Sequence, residues 1–169
     1  NHGINHLLQD DQSNNVDRLV CKNSSLLGHY VECFVCGQEK VHQYSLRNKA
    51  VHIKNNIFGI PTFGEPVGGK DPVDYNLLYL TICPNCNFTA PGDEFFKFSQ
   101  EDEPSFDVSK FSEKWNTEKA ELSAKYNKNK EGIGGESRTN EQADLSYELA
   151  ALALKILREI NPENGVFVR

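Results

Sequence analysis

The spacing of apolar and polar positions changes character several times along this 169-residue chain, and each change predicts an element. A polar stretch rich in Asn, Asp and Gln predicts an extended lead-in over roughly the first 15 residues. Val16, Leu19, Val20, Leu26 and Leu27 then predict a short helix or an irregular packing segment, with Cys21 among them as a small hydrophobe. Alternation follows. His29 to Val35 predicts one strand and Val41 to Tyr44 a second, and Lys49 to Ile60 predicts a further extended stretch through Ala50, Val51, Ile53, Ile57 and Phe58. Pro61 to Asp74, with three glycines and three prolines, predicts a long loop, and Tyr75 to Ile82 predicts the strongest strand in the chain. Phe88, Phe95, Phe96 and Phe98 predict a small aromatic core, closed off by the acidic stretch from Ser99 to Ser105.

Beyond that stretch the period becomes helical. Phe111, Trp115, Leu122 and Tyr126 predict one amphipathic helix over about 110–128, and the Gly- and Asn-rich residues 127–140 predict a flexible connection. Thr139 with Gln142 three positions later predicts a capping box opening a helix over 140–160, stopped by Asn161-Pro162. That helix carries Ala143, Tyr147, Ala150, Leu154 and Leu157 on one face and Leu145, Leu149, Leu152, Ile156 and Ile160 on another. Two apolar faces predict burial between neighbours: the strand module, a second copy of the chain, or helices outside this sequence.

Candidate chemistry is concentrated in Cys33-Phe34-Val35-Cys36-Gly37 and Cys83-Pro84-Asn85-Cys86-Asn87. Each Cys-x-x-Cys places two thiolates near one point, and the turn-forming residue after it lets backbone amides face the sulfurs. Four such thiolates, Cys33, Cys36, Cys83 and Cys86, suit Zn²⁺, which takes soft donors in a tetrahedron at about 2.3 Å. A closed set of four leaves no position for water or substrate, so the expected metal is structural and the chain is not expected to be an enzyme. His29, His42 and His52 flank the region, but the set is complete without them. His2 and His6 have the i, i+4 spacing of a helical metal clamp, yet Gly3 between them disfavours a helix. The expected fold is therefore α+β: a small zinc-ribbon-like antiparallel β module followed by two C-terminal α-helices. Its expected divisions are a lead-in at 1–28, the module at 29–98, an acidic linker at 99–109 and a helical segment at 110–169.

Composition and charge narrow the function. Hydrophobic residues make up 38% of the chain, against a typical value of about 45–50%, which predicts that a metal contributes to stability. Net charge is -6, and four thiolates on one Zn²⁺ bring it to about -8. Such a surface argues against phosphate backbones, so nucleic acid is not an expected partner. Five cysteines, an odd number, and two Cys-x-x-Cys pairs without a recognisable secretion signal predict a reducing, cytoplasmic setting. No run of about 18 apolar residues is present, so no membrane span is expected. The chain contains no Met, which predicts a piece of a longer protein. Gly64 to Lys70 matches the start of a phosphate-binding loop, but Asp71 stands where Ser or Thr is needed and Pro72 where a helix should begin.

The order of these features is similar to a bacterial family, the domain of unknown function numbered 2225. The resemblance rests on Cys33 to Gly37, a long insert, Tyr75, Cys83 to Cys86 and Gly92-Asp93-Glu94-Phe95. It covers roughly residues 30–98, with weaker similarity through 140–160, and Asn87 stands where a glycine is more usual. It implies C-terminal helices similar to tetratricopeptide repeats. The expected function is a zinc-stabilised protein-interaction or scaffold module. It would bind a protein partner or a second copy through the loop 61–74 or the apolar C-terminal helix. The alternatives are a zinc-ribbon protein that senses a small ligand or nucleic acid, and a thiol redox protein. The latter needs an exposed thiol of low pKa, commonly at a helix N-terminus, where neither pair is expected to lie.

Overall fold

The structure, a computed structural model, describes residues 18–162. The lead-in, with His2 and His6, therefore lies outside the described residues. The architecture is α+β, with small antiparallel sheets followed by helices, as the pattern predicts. Strand β1 (Arg18–Leu19) pairs with β2 (Leu26–Cys33), which pairs in turn with β3 (Val41–Leu46) in the register Val31 opposite Val41. Strands β4 (Val51–Asn55) and β5 (Pro61–Pro66) form a separate hairpin, and β6 (Leu80–Ile82) and β7 (Thr89–Pro91) form another. A single turn, α1 (Gly92–Phe95), leads into β8 (Phe96–Lys97), which returns to β2 with Cys33 opposite Phe96. Helices α2 (Val108–Glu118), α3 (Ala120–Lys128) and α4 (Asn140–Ile160) complete the chain.

Several expectations need correction. The stretch from Leu19 to Leu27 forms β1 and the start of β2, not a helix. Gly28 makes this pairing possible, because a Cβ there would lie 2.5 Å from the Leu19 carbonyl oxygen and 2.9 Å from Cys21 Sγ. The loop expected over 61–74 begins as β5. Its prolines sit at the two ends of a strand whose outer edge is unpaired, where a missing N–H costs no ladder bond.

The strand expected over 75–82 is reduced to Leu80–Ile82. Ahead of it Asp74 caps a 3₁₀ turn, Tyr75–Leu77, its side chain accepting the Asn76 N–H at 3.1 Å. The Tyr75 hydroxyl donates to the Tyr44 carbonyl at 2.7 Å, fixing that turn against β3. Local side-chain capping overrides the apolar run here.

The single helix expected over 110–128 is broken at Lys119. The Thr117 hydroxyl bonds back to the Glu113 carbonyl at 3.2 Å, a contact that bends helices. The Leu122 N–H then takes the Lys119 carbonyl at 3.0 Å, a tighter spacing than an α-helix uses. Helix α4 keeps its expected bounds, and its Thr139–Gln142 capping box has both reciprocal bonds, at 3.2 and 2.9 Å. It packs on β6, β7, α2 and α3, the first of the expected neighbours.

The connection before α4 is a packed strap and not a flexible one. Ile133 is buried, and the Gly134 carbonyl accepts the Tyr44 hydroxyl at 3.0 Å. The Glu136 carboxylate accepts the backbone N–H groups of Lys22 and Asn23 at 2.9 and 3.1 Å. Arg138 is 6% exposed; its Nε–H donates to the Ile133 carbonyl at 2.6 Å and its Nη1 to the Leu80 carbonyl at 2.7 Å. Burial lowers the pKa of this guanidinium to about 10.

One core joins strands and helices. Phe88 lies at its centre, with ring centroids 5.4 Å from Phe96, 5.2 Å from Phe111 and 6.2 Å from Trp115. Leu145, Leu149 and Ile156 of α4 close it from the other side. A smaller cluster around Leu26, Tyr44 and Leu78 takes in Cys21. We expect Arg138→Met to lower stability by about 2–4 kcal/mol in denaturant unfolding, because buried carbonyls lose their donor. A change under about 0.5 kcal/mol would show that the strap does not depend on this guanidinium.

Candidate metal centre

The four predicted cysteines converge although they come from two separate hairpins. Cys33 ends β2 and Cys83 follows the last residue of β6, so each pair occupies the turn of a hairpin. The two turns are built alike. In the first, the Cys33 N–H donates to the Gln38 carbonyl at 2.9 Å and the Gly37 N–H to the Cys33 carbonyl at 2.8 Å. In the second, the Cys83 N–H donates to the Phe88 carbonyl at 2.9 Å and the Asn87 N–H to the Cys83 carbonyl at 3.0 Å. Each turn needs a left-handed residue after its second cysteine, with φ +72° at Gly37 and +65° at Asn87. Glycine adopts this conformation freely and asparagine is among the few other residues that tolerate it, so Asn87 fills the glycine role.

All four sulfurs lie within 4.8 Å of one another. Cys33 Sγ lies 3.7 Å from Cys86 Sγ and Cys36 Sγ 3.5 Å from Cys83 Sγ, and all four cysteines are free of disulfides. A metal bonded to four sulfurs at about 2.3 Å in a tetrahedron requires sulfur–sulfur edges of about 3.8 Å. The cluster is therefore close enough to hold a metal ion. Cys33, Cys83 and Cys86 are buried, and Cys36 is exposed at the outer side. Backbone N–H groups face the sulfurs, that of Cys36 at Cys33 and those of Cys86 and Asn85 at Cys83.

Crowding shapes the acidity of these thiols. Hydrogen bonds from Cys33, then from Cys86, lower the Cys83 thiol from its ordinary value. Cys33 is pushed up mainly through its bond to Cys83, and Cys86 through bonds to Cys33 and Cys83 and then through burial. A cation at the centre would favour the thiolate form of all four sulfurs.

The helices secure the second turn. Trp115 is fully buried, and its Nε1–H donates to the Cys86 carbonyl at 2.8 Å. The Lys119 ammonium reaches the same oxygen at 3.0 Å, bringing positive charge beside the sulfurs. From α3 the Tyr126 hydroxyl donates to the Pro84 carbonyl at 3.4 Å. The helical spacing of Trp115 and Tyr126 marks them as core residues but gives no sign of these contacts. The signal for them is tertiary: the carbonyls of a knuckle point outward and need donors.

The remaining candidates lie elsewhere. Among the described residues the metal-capable group contains no histidine. His42 Nδ1 is 3.2 Å from the Gly134 carbonyl oxygen, the His29 ring packs edge-on against Phe98, and His52 is exposed on β4. Cys21 packs in the smaller cluster, its thiol pushed up by burial and then by Glu136. The glycine-rich run ends at Asp71, whose carboxylate accepts the Ser24 N–H at 2.8 Å and is held below its usual range by that bond. No helix among the described residues is long and apolar enough to cross a membrane. Comparison with family models, curated proteins and solved structures gave no match.

Because Lys119 still satisfies the Cys86 carbonyl, Trp115→Phe is expected to cost only about 1–2 kcal/mol. Trp115→Ala removes the centre of the aromatic packing and is expected to cost about 3–5 kcal/mol. Denaturant unfolding of the two variants checks this ordering; equal losses would mean that the hydrogen bond, not the packing, dominates.

Proposed function

We propose that Cys33, Cys36, Cys83 and Cys86 hold one structural Zn²⁺ and that the chain is a zinc-stabilised protein-interaction or scaffold module. The observation that carries this reading is the spacing of the four sulfurs, close to the edges of a zinc tetrahedron. Soft thiolate donors favour zinc over hard cations such as Mg²⁺ or Ca²⁺. Four protein ligands leave no site for water or substrate, so the role assigned to the metal is mechanical and the chain is read as a non-enzyme. Structural zinc contributes apparent free energies of about 10–16 kcal/mol, comparable to the whole net stability of a domain at about 5–15 kcal/mol.

The interaction role is supported by apolar residues left in solvent. Ile57 and Phe58 are 92% and 80% exposed at the tip of the β4–β5 hairpin, and Tyr147 is exposed on α4. This reading places a contact surface on the hairpin and on the C-terminal helix. It suits the similarity to the domain of unknown function 2225 family, and we assign the chain to the reducing cytoplasm, where thiolates persist.

Native mass spectrometry combined with thiol alkylation tests the proposal. We expect one zinc per chain, with four thiols blocked while metal is bound. Chelation or Cys83→Ser should unfold the hairpin region, whereas Cys21→Ser should change stability by under about 1 kcal/mol. Iron, no metal, or rapid alkylation of the four cysteines in the metal-bound protein would overturn the structural reading and favour redox chemistry.

A further inference from the structure

A cleft runs between the open edge of β5 and the segment 72–76. Its volume is ≈440 Å³, within the range of about 300–1,000 Å³ of ligand pockets, and Phe63, Pro72, Val73, Asp74 and Asn76 line it. Hydrogen bonds make its far wall a fixed part of the body. The Asn76 N–H donates to Asp74 Oδ1 at 3.1 Å, the Asn76 side-chain amide donates to the Pro61 carbonyl at 3.0 Å, and the Asn76 carbonyl accepts the Tyr147 hydroxyl at 2.9 Å. The Phe63 ring meets Tyr75 edge to face, with centroids 5.8 Å apart. The cleft is thus framed by the hairpin on one side and by a bonded turn of the body on the other.

The β4–β5 ladder decides which backbone groups face the cleft. The Asn56 N–H donates to the Ile60 carbonyl at 2.9 Å, so the next hydrogen-bonded pair is Lys54 with Thr62. Alternation turns the backbone groups of Pro61 and Phe63 outward, as the Asn76 amide on the Pro61 carbonyl shows. Phe63 therefore offers an N–H and a C=O to the cleft, and neither has a protein partner among the described residues. At Pro61 the edge is closed: the proline has no N–H, and its carbonyl is taken by Asn76. Such an edge suits the end of an incoming chain, not a strand that passes along it.

Charge selects which end. Asp74 is the only ionisable residue lining the cleft, and it makes no ion pair among the described residues. Its carboxylate accepts one backbone N–H, which leaves most of its lone pairs free. The Phe63 carbonyl and this carboxylate open on the same cavity, so the acceptors in it outnumber the single Phe63 donor. A chain's terminal carboxylate would meet Asp74 as a like charge, whereas a terminal ammonium meets two acceptors. The chain's net charge of -6 favours the approach of the cation. Pro72, Val73 and the Phe63 side chain keep the rest of the lining apolar, which suits a small aliphatic side chain.

We propose that this cleft receives the free N-terminal residue of a partner polypeptide. The ammonium donates to the Phe63 carbonyl and to the Asp74 carboxylate, and the carbonyl of the same residue accepts the Phe63 N–H, as one residue of an antiparallel pair does. The inference rests on the interaction-module reading, to which it adds the chemistry of the partner, and it is independent of which metal is bound.

A proton–nitrogen NMR titration of the full chain with trialanine amide, with metal content counted in the same sample, tests it. The titration is run at about pH 6.5, where an α-amine of ordinary pKa, about 7.7–8.0, is protonated. The expected result is a saturable shift of the Phe63 amide signal. N-acetyl-trialanine amide should bind about tenfold or more weakly, and Asp74→Asn should weaken trialanine amide by a similar factor. Asparagine caps a helical turn as well as aspartate does, so circular dichroism and metal content should stay unchanged in that variant. No saturable shift at Phe63, an acetylated peptide that binds as tightly, or an Asp74→Asn chain that binds as tightly would overturn the proposal. So would free L-alanine that binds as tightly as the peptide, which would assign the cleft to an amino acid. Shifts confined to Ile57 and Phe58 would overturn this site and leave the interaction reading standing, and lack of zinc in the sample would defeat the metal reading alone.

Discussion

Four sulfurs from positions 47 and 53 residues apart in sequence must meet within a few ångströms, and the rest of the structure depends on that convergence. Each hairpin supplies two of them through a turn that works only with a left-handed residue after its second cysteine, Gly37 in one and Asn87 in the other. The hairpins share little sheet of their own, since β6 and β7 have only three residues each. Strands this short are marginal in water without a further tie. The cysteine cluster and the aromatic core provide it together, because β8 places Phe96 opposite Cys33 and α2 places Trp115 on the Cys86 carbonyl.

Buried polar groups carry the next level of organisation. The strap before α4 has few apolar residues, yet Arg138 ties it to β6, and Glu136 ties it to the turn between β1 and β2. That turn is also held from the far side, where Asp71 accepts the Ser24 N–H. Loop segments distant in sequence are thus ordered by single side chains that each satisfy several backbone groups. The ion pairs Lys114–Glu159, Lys125–Glu148 and Lys155–Glu118 link α2 and α3 to α4, and Lys97–Glu32 links β8 to β2; open to solvent, such pairs add little net stability.

Much of this was legible in the sequence wherever the signal was local. The α+β class, the convergence suggested by Cys33, Cys36, Cys83 and Cys86, and the Thr139–Gln142 cap of α4 follow from spacing alone. Errors arose where a tertiary contact decided the outcome. Tyr75 to Tyr79 has the composition of a strand, but the Asp74 cap and the Tyr75 bond to Tyr44 impose a turn. Residues 127–140 have the composition of a linker, but Glu136 and Arg138 find backbone partners in sequence-distant segments. Prolines at 61 and 66 mark the ends of β5, so the same residues that suggest a loop are compatible with an edge strand.

The resulting picture is a thiol-centred body that carries a hairpin with an exposed apolar tip, Ile57 and Phe58. A rigid centre suits such display, because Val51 and Ala50 at its base, the Asn76 bond to the Pro61 carbonyl at 3.0 Å and the Phe63–Tyr75 ring contact all fix the hairpin to the body beneath it. The most direct measurement of the centre itself is X-ray absorption at the zinc edge of the purified protein. Four sulfur neighbours at about 2.3 Å, with no nitrogen or oxygen in the first shell, are the result this account requires. A nitrogen or oxygen ligand, or fewer than four sulfurs, would contradict a closed structural site.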